Sequence, residues 1–278
     1  MSELEAIAGK IREADGLLIA ASNGLSISEG LHLFASNEAF HTLFGDYARK
    51  YGLLNILQGI AGRWPSEEEK WAFWSRLIRH YCVEYRPGAV MQDLKAIADG
   101  RDTFVLTSNG EGHFEAAGFA PECIYEVEGN WIEMHCSARC SAEMLPTTQL
   151  AVKLAALERD GRIPSGAVPR CAHCGAPMVV SMAAGEPYMT ARTGAPRFEA
   201  FLSRMHGRKL VILELGIGPR NQLIKAPLMR LAAREPLATY VTVNRGEIYV
   251  AEDIREKSFA LDGLIAEKLA GLREALGV

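Results

Sequence analysis

The chain has 278 residues, of which 49% are hydrophobic and 23% charged, and a net charge of −4; this suits one large soluble globular domain, or a large one with a small one. The acid excess argues against broad binding to a nucleic-acid backbone, which needs clustered Lys and Arg. The acidic, amphipathic start has no signal-peptide character and no apolar run approaches the ~20 residues that span a bilayer, so no membrane partner and a cytoplasmic location are expected.

Leu4, Ile7, Ala8 and Ile11 recur at helical spacing and predict a helix over 3–14. Leu17 to Ala21 is too short for a helix and reads as a buried strand, with Ser22-Asn23-Gly24 as the turn after it. That position, after a first strand, is where a doubly wound fold places a phosphate loop. From 37 to 100 the pattern is mostly helical. Ser66 and Glu69 read as a capping box, opening a helix that carries Trp71, Trp74, Leu77, Ile78 and Tyr81 on one face. That stripe reads as core covering the sheet in preference to a cofactor box. A further helix over 88–98 is closed by Asp99-Gly100.

The stretch 103–131 organises the rest. Phe104-Val105-Leu106 forms a strand that breaks at Ser108-Asn109-Gly110, and Cys123-Ile124-Tyr125 forms a second one ending at Glu126-Val127-Glu128-Gly129. Ligands of open α/β sheets bind beyond the carboxyl ends of strands, which makes Asn109 and Glu128 candidates for the site. Asn109 can hold a ribose or a nicotinamide amide, or it can cap a helix beginning near Glu111. Glu128 can be a general base or stabilise positive charge on a sugar carbon, or be a solvated loop carboxylate.

From 132 to 191 the periodicity weakens and four of the six cysteines appear. The expected organisation is a discontinuous Rossmann-like domain over 1–131 and 192–278, interrupted by a small module over 132–191 with one helix, 149–159. The α/β pattern then resumes. A helix over 198–205 leads to a strand over 209–215 and the turn Gly216-Ile217-Gly218-Pro219-Arg220-Asn221. A helix over 222–234 containing Pro227 precedes a strand over 237–243 that ends in Asn244-Arg245-Gly246. A terminal helix is expected over 257–275.

In a reducing compartment a regular cysteine spacing points to metal or catalysis before disulfides. Cys136 and Cys140, paired with Cys171 and Cys174, can supply four thiolates to a structural Zn²⁺ with no open position for catalysis, the alternative being a metal-free or redox role. Cys82 and Cys123 sit in apolar contexts. The first loop, Ala20-Ala21-Ser22-Asn23-Gly24-Leu25-Ser26, reads as a nucleotide-binding loop or as an ordinary strand-to-helix turn, since it lacks the usual glycine spacing. Gly216, Ile217, Gly218, Asn244 and Arg245 also lie at strand ends, so phosphates on the glycine-rich turns and an adenosine near Asn244 would fit one crevice. Arg192, Arg197 and Arg220 are possible phosphate or substrate contacts.

Together these residues resemble the sirtuin (Sir2) family, which joins a Rossmann-type NAD domain to a small zinc module. The matching segments are Ser108-Asn109-Gly110, Glu128-Gly129, the four paired cysteines and Gly216-Ile217-Gly218, in the family's order across nearly the whole chain. The closer similarity is to the macrodomain-linked class M sirtuins of microbes (SirTM). It is carried by Gly24-Leu25-Ser26 with Ser28 and Gly30, Leu43-Phe44-Gly45-Asp46, Lys50-Tyr51-Gly52, the run Trp71 to Arg76, Ala117-Gly118-Phe119 and Leu213 to Gly218.

The resemblance implies transfer of ADP-ribose from NAD to a protein, in known members a lipoyl-carrier protein related to the glycine-cleavage H protein, with reversal by a macrodomain partner. It places Asn109 and Glu128 at the nicotinamide-ribose end of an NAD cleft. The sequence departs from the class at four points. Glu128 stands where deacetylases carry His and class M members Gln, which makes deacetylation unexpected. Ala20 and Ser22 replace two glycines of the first loop, and Glu111 replaces an Asp in the cofactor site. Ser181-Met182-Ala183 lacks the Arg of an Asn-Leu-Arg segment. Two other readings accompany the transferase: an NAD- or ADP-ribose-binding module without chemistry, and an NAD hydrolase.

Overall fold

The computed structural model describes residues 2–183 and 194–278. Its strands are β1 (Gly16–Ala21), β2 (Thr103–Thr107), β3 (Ile124–Glu126), β4 (Gly129–Cys136), β5 (Leu145–Pro146), β6 (Met178–Met182), β7 (Leu210–Leu215), β8 (Thr239–Asn244) and β9 (Ser258–Asp262). Six of them form one sheet in the order β3-β2-β1-β7-β8-β9, with every pairing parallel. This is the doubly wound arrangement, and its topological switch point lies between β1 and β7. β1 and β7 are buried along their whole length, as strands covered on both faces by helices must be.

Two apolar cores flank this sheet. One packs Ile7 and Ile11 of helix Glu3–Glu13, Leu94 and Ile97 of helix Ala89–Ala98, and Leu269 of helix Ile265–Leu276 against β1, β7 and β8. The other packs Phe201 of helix Gly194–Met205 and Leu228 of helix Gln222–Arg234 against the opposite face. Pro227 sits inside the latter helix, as anticipated. A third core has no part in this sheet.

That third core joins the aromatic helices to the cysteine-bearing segment. Trp71, Trp74, Leu77, Ile78 and Tyr81 pack with Trp131, Met134, Leu154 and Val180, so the stripe expected to cover the parallel sheet covers the smaller antiparallel sheet β5-β4-β6 instead. Trp71 Nε1 donates to the Met178 carbonyl at 3.3 Å, and Arg76 reaches Asp46 and Glu158, each at 2.7 Å. Helix Thr148–Leu157 matches the expected one and packs on helix Glu67–Ile78.

Three local expectations are corrected. Ser22-Asn23-Gly24 is no open turn, because helix Asn23–Ser28 begins there. Ser66 does accept from the Glu69 amide at 3.3 Å, but the Glu69 carboxylate is held by Tyr51, Lys50 and the Ser66 hydroxyl. The segment expected as one long terminal helix contains β9, which pairs with β8 before the helix starts at Ile265. Among the described residues no helix is long and apolar enough to cross a membrane.

Candidate functional site

The parallel register brings the carboxyl ends of β1, β2 and β7 together, with Ala21 beside both Thr107 and Leu215. The loops that follow meet at the switch point. Gly24 and Gly216 touch through their backbones, Gly24 N donating to Gly216 O at 3.1 Å. A Cβ on Gly24 would stand 2.4 Å from Gly216 Cα, so both positions need glycine for this approach.

Ser22, Ser108 and Asn221 converge there, one from the end of each strand. Ser22 and Ser108 are buried, their hydroxyls lie 3.0 Å apart, and Asn221 Nδ2 reaches them at 3.0 and 3.3 Å respectively. This engagement explains why Ser22, at the cap position of its helix, makes no side-chain cap. Asn221 was visible in the sequence only as the last residue of a turn; its register with Ser22 needed the sheet.

Asn109 is buried and fixed from two sides. Its backbone amide donates to Thr107 Oγ1 at 3.0 Å and its Nδ2 to the Ser22 carbonyl at 3.1 Å. It caps no helix, because the following helix, His113–Ala116, has Gly112 at its cap position. Ser26 Oγ donates to Glu111 Oε1 at 2.5 Å, and His113 Nδ1 lies 3.5 Å from the same oxygen. His113 is itself stacked on Tyr85 at 3.5 Å, and the Tyr85 hydroxyl donates to Glu29 at 2.6 Å. The first loop and the Asn109 loop thus share one buried polar floor.

The turn bearing Glu128 follows β3, whose Glu126 pairs with Thr107. Asn109 and Glu128 therefore each come two residues after the same rung of the sheet. Trp131 N donates to Gly110 O at 2.6 Å and Ala183 N to Glu128 O at 2.9 Å, which ties the turn to the Asn109 loop and to the end of β6. Glu128 is half-buried, and burial raises its pKa above the ordinary carboxylate value. Glu126 is pushed up to about 8 by burial, with Glu111, Glu133 and Glu115 adding to the rise and the hydrogen bond from Asn130 opposing it. A cavity of about 360 Å³ flanks the turn, lined in part by Glu126, Asn130, Glu133 and Arg197.

The remaining site candidates take different places. Ala20, Ala21, Leu25 and Ile217 point their side chains into the cores, leaving only backbone for a ligand. Gly218 is half-buried at the turn after β7. Asn244 is half-buried and donates to the Glu247 carbonyl at 2.8 Å, while Arg245 is exposed. Arg220 is exposed, and Arg197 Nη2 donates to the carbonyls of Pro121 and Ile124, which makes it a brace for β3. Arg192 lies outside the described residues.

Behind the Gly216-Ile217-Gly218 turn lies a charged pair that the sequence did not single out. Lys225 and Glu214 are fully buried and 2.5 Å apart. Thr242 and Tyr240 donate to the same carboxylate, and Lys225 Nζ also donates to the Ile217 carbonyl at 3.3 Å.

The four paired cysteines form a second centre. Their sulfurs all lie within 4.8 Å of one another, with 3.5 Å between Cys136 and Cys174 and 3.4 Å between Cys140 and Cys171. Thiolates around one tetrahedral zinc, each ~2.3 Å from the ion, have this spacing. The Cys140 amide lowers the Cys136 pKa, toward the thiolate a metal requires. Cys82 and Cys123 stand apart from the group.

No family model matches the chain. Over 264 residues, 93% of this chain and 83% of the relative, it is 29% identical to a protein ADP-ribosyltransferase of Staphylococcus aureus strain Mu50. It is 28% identical over 220 residues to a probable bifunctional ADP-ribose hydrolase/ADP-ribosyltransferase of Fusarium oxysporum f. sp. cubense, spanning 75% of this chain but 36% of that protein. Among solved structures, a Sir2 homologue–NAD complex matches with a TM-score of 0.63 at 16% identity, over 98% of this chain and 94% of that one. An ADP-ribose complex of a mutant Sir2 homologue matches with a TM-score of 0.62 at 15% identity, over 100% and 99%.

Proposed function

We propose that this chain, which shares the fold of Sir2 homologues, is an NAD-dependent protein ADP-ribosyltransferase of the class M type. The observation that carries the reading is the placement of Asn109 and Glu128 beyond one rung of the sheet, beside the loops that meet at the switch point. The alignment over 93% of the chain with a protein ADP-ribosyltransferase supports it.

In this reading the bond between nicotinamide and the ribosyl carbon breaks as the acceptor's nucleophile bonds to that carbon. Asn109, anchored through Nδ2, orients the ribose. Glu128 stabilises the positive charge developing on the sugar and takes the acceptor's proton, a role suited to a carboxylate whose pKa burial has raised. Glu111, held by Ser26, lies on the same floor and contacts the nicotinamide side. A carboxylate at 128 cannot replace the neutral imidazole of a deacetylase, so deacetylation is not part of the function.

The acceptor we assign is a lipoyl-carrier protein related to the glycine-cleavage H protein, with a macrodomain hydrolase as the reversing partner. The relative that carries both a hydrolase and a transferase name fits such a pairing. Zn²⁺ at Cys136, Cys140, Cys171 and Cys174 is assigned a structural role, holding the segment that ends beside Glu128.

The test is incubation of the full chain with NAD labelled in the ADP-ribose half and the carrier protein. Label on the carrier with stoichiometric nicotinamide release is expected, lost in Asn109→Ala. Free ADP-ribose as the sole product would make the protein a hydrolase, and binding without nicotinamide release would reduce it to a binding module.

A further inference from the structure

The cavity of about 360 Å³ beside the Glu128 turn has acidic walls to which the transferase reading gives no role. Glu126 of β3, Glu133 of β4, Glu115 and Glu122 line it, and Arg197 is the one cation among the described residues that do so. Arg197 Nη2 is committed to the carbonyls of Pro121 and Ile124. Glu115 and Glu122 are exposed while Glu126 and Glu133 are half-buried, so carboxyl groups lead from the surface inward.

Asn130 shows what this interior lacks. It is 7% exposed and forms part of the wall, and its Nδ2 donates to Glu126 Oε2 at 2.8 Å and to Glu133 Oε2 at 3.2 Å. Both amide protons are then spent, and Oδ1 is buried with no partner among the described residues. A buried acceptor without a donor is unfavourable. Carboxyl oxygens and an amide oxygen around one space call for a ligand that brings several N–H donors and a positive charge. Ile124 and Ile132 complete the wall and suit the methylene stem behind such a head. The protonation of Glu126 reports the same lack: burial, with Glu111, Glu133 and Glu115 adding to it, pushes this carboxyl up to about 8 against the Asn130 hydrogen bond. Cys82, on which Glu126 also acts, is held up by burial as a neutral thiol. Glu126 thus keeps a proton near neutrality, and an entering cation takes that proton's place.

We propose that this cavity binds the guanidinium of an arginine side chain on the acceptor protein, anchoring the acceptor beside the Glu128 turn. The planar head offers five N–H donors, enough for both half-buried carboxyl groups and for Asn130 Oδ1, where an ammonium has three and a metal ion none. Gly129, next to Glu128, lines the same cavity, so a neighbouring nucleophile of the anchored protein lies close to the reacting end. The partner's being an acceptor rests on the transferase reading; the class of ligand rests on the cavity alone.

The experiment is calorimetry on the full chain without NAD, with N-acetyl-arginine amide, the matching citrulline compound, agmatine and calcium chloride as probes. The arginine compound should bind at least about tenfold more tightly than the citrulline one, which keeps the shape and loses the charge. Its binding should release protons at about pH 7, read as heats that differ between two buffers of unlike ionisation enthalpy, and Glu126→Gln should abolish that release. Glu133→Gln should weaken binding about tenfold. In transfer to the carrier protein, Glu133→Gln should raise the KM for the carrier far more than the KM for NAD, a split that general damage to the fold would not produce.

Absence of binding, or equal binding of the arginine and citrulline compounds, overturns the proposal. So does tighter binding of agmatine or calcium, binding indifferent to Glu133→Gln, or binding without proton release. The expected binding pattern without transfer to any protein would sink the transferase reading and leave the ligand class of the cavity standing. Transfer with a carrier KM indifferent to Glu133→Gln would do the opposite.

Discussion

Gly24 and Gly216 meet backbone to backbone at the switch point, where a Cβ on Gly216 would lie 2.5 Å from Gly24 Cα and 2.6 Å from Gly24 C. No side chain can move aside to relieve such a contact. Gly24→Ala is expected to destabilise the fold by about 1–3 kcal/mol, the usual range for forced overpacking. Gly218→Ala serves as its control, since the nearest atom to a Cβ there is the Glu247 carboxylate at 3.7 Å. Denaturant midpoints should separate the two, and equal midpoints would mean that the loops part freely.

The buried pair Lys225–Glu214 supports the same turn from behind. Lys225→Met leaves the buried Glu214 carboxylate with Tyr240 and Thr242 as its side-chain donors among the described residues, and removes the bond to the Ile217 carbonyl. Losing one partner of a buried pair typically destabilises by ~3–5 kcal/mol. The double variant Lys225→Met with Glu214→Gln should recover part of that loss in thermal unfolding. A single variant as stable as wild type would contradict the arrangement.

Glu126 predicts a pH dependence. Its folded-state pKa, about 8, lies above the ordinary 4.5, so between these values the folded chain keeps a proton that the unfolded chain has released. Stability from this group is therefore full below about 4.5 and is lost as pH rises through about 8. The melting temperature of Glu126→Gln should decline less than that of wild type over this window. Parallel curves would show that Glu126 ionises freely in the fold.

The cysteine cluster predicts a bound ion that holds the antiparallel sheet. Metal analysis should find zinc at one equivalent, lost in Cys171→Ser and retained in Cys82→Ser. Chelation should also change the fluorescence of Trp131, which is fully buried and belongs to the central strand β4 of this sheet. Zinc-free protein with an unchanged spectrum and melting point would refute a structural metal.

Much of the architecture was legible because its signals are local. β1 and β7 are uninterrupted apolar runs, helix Ala89–Ala98 keeps its period of burial, and the cysteine pairs announce themselves by spacing. β9 escaped because its period is short: Leu261 is buried and Phe259 packs beside it on the same core, while Ala260 between them is exposed. The aromatic stripe of helix Glu67–Ile78 was legible as core, but periodicity says that a face is buried and never against what. Its partner, the β5-β4-β6 sheet, begins far along the chain.

The sequence by itself determined the main helices and most strands of the parallel sheet, the two close cysteine pairs and the family likeness, because each depends on residue type at short separation. Tertiary structure alone decided that Ser22, Ser108 and Asn221 form one cluster, that Lys225 lies under the Ile217 carbonyl, and that Asn109 anchors to the Ser22 carbonyl in place of a helix cap. The serine–asparagine cluster and the Asn109 anchor join the ends of different strands. They exist only once the parallel register has set Ala21 level with Thr107 and Leu215, and no spacing along the chain encodes that alignment.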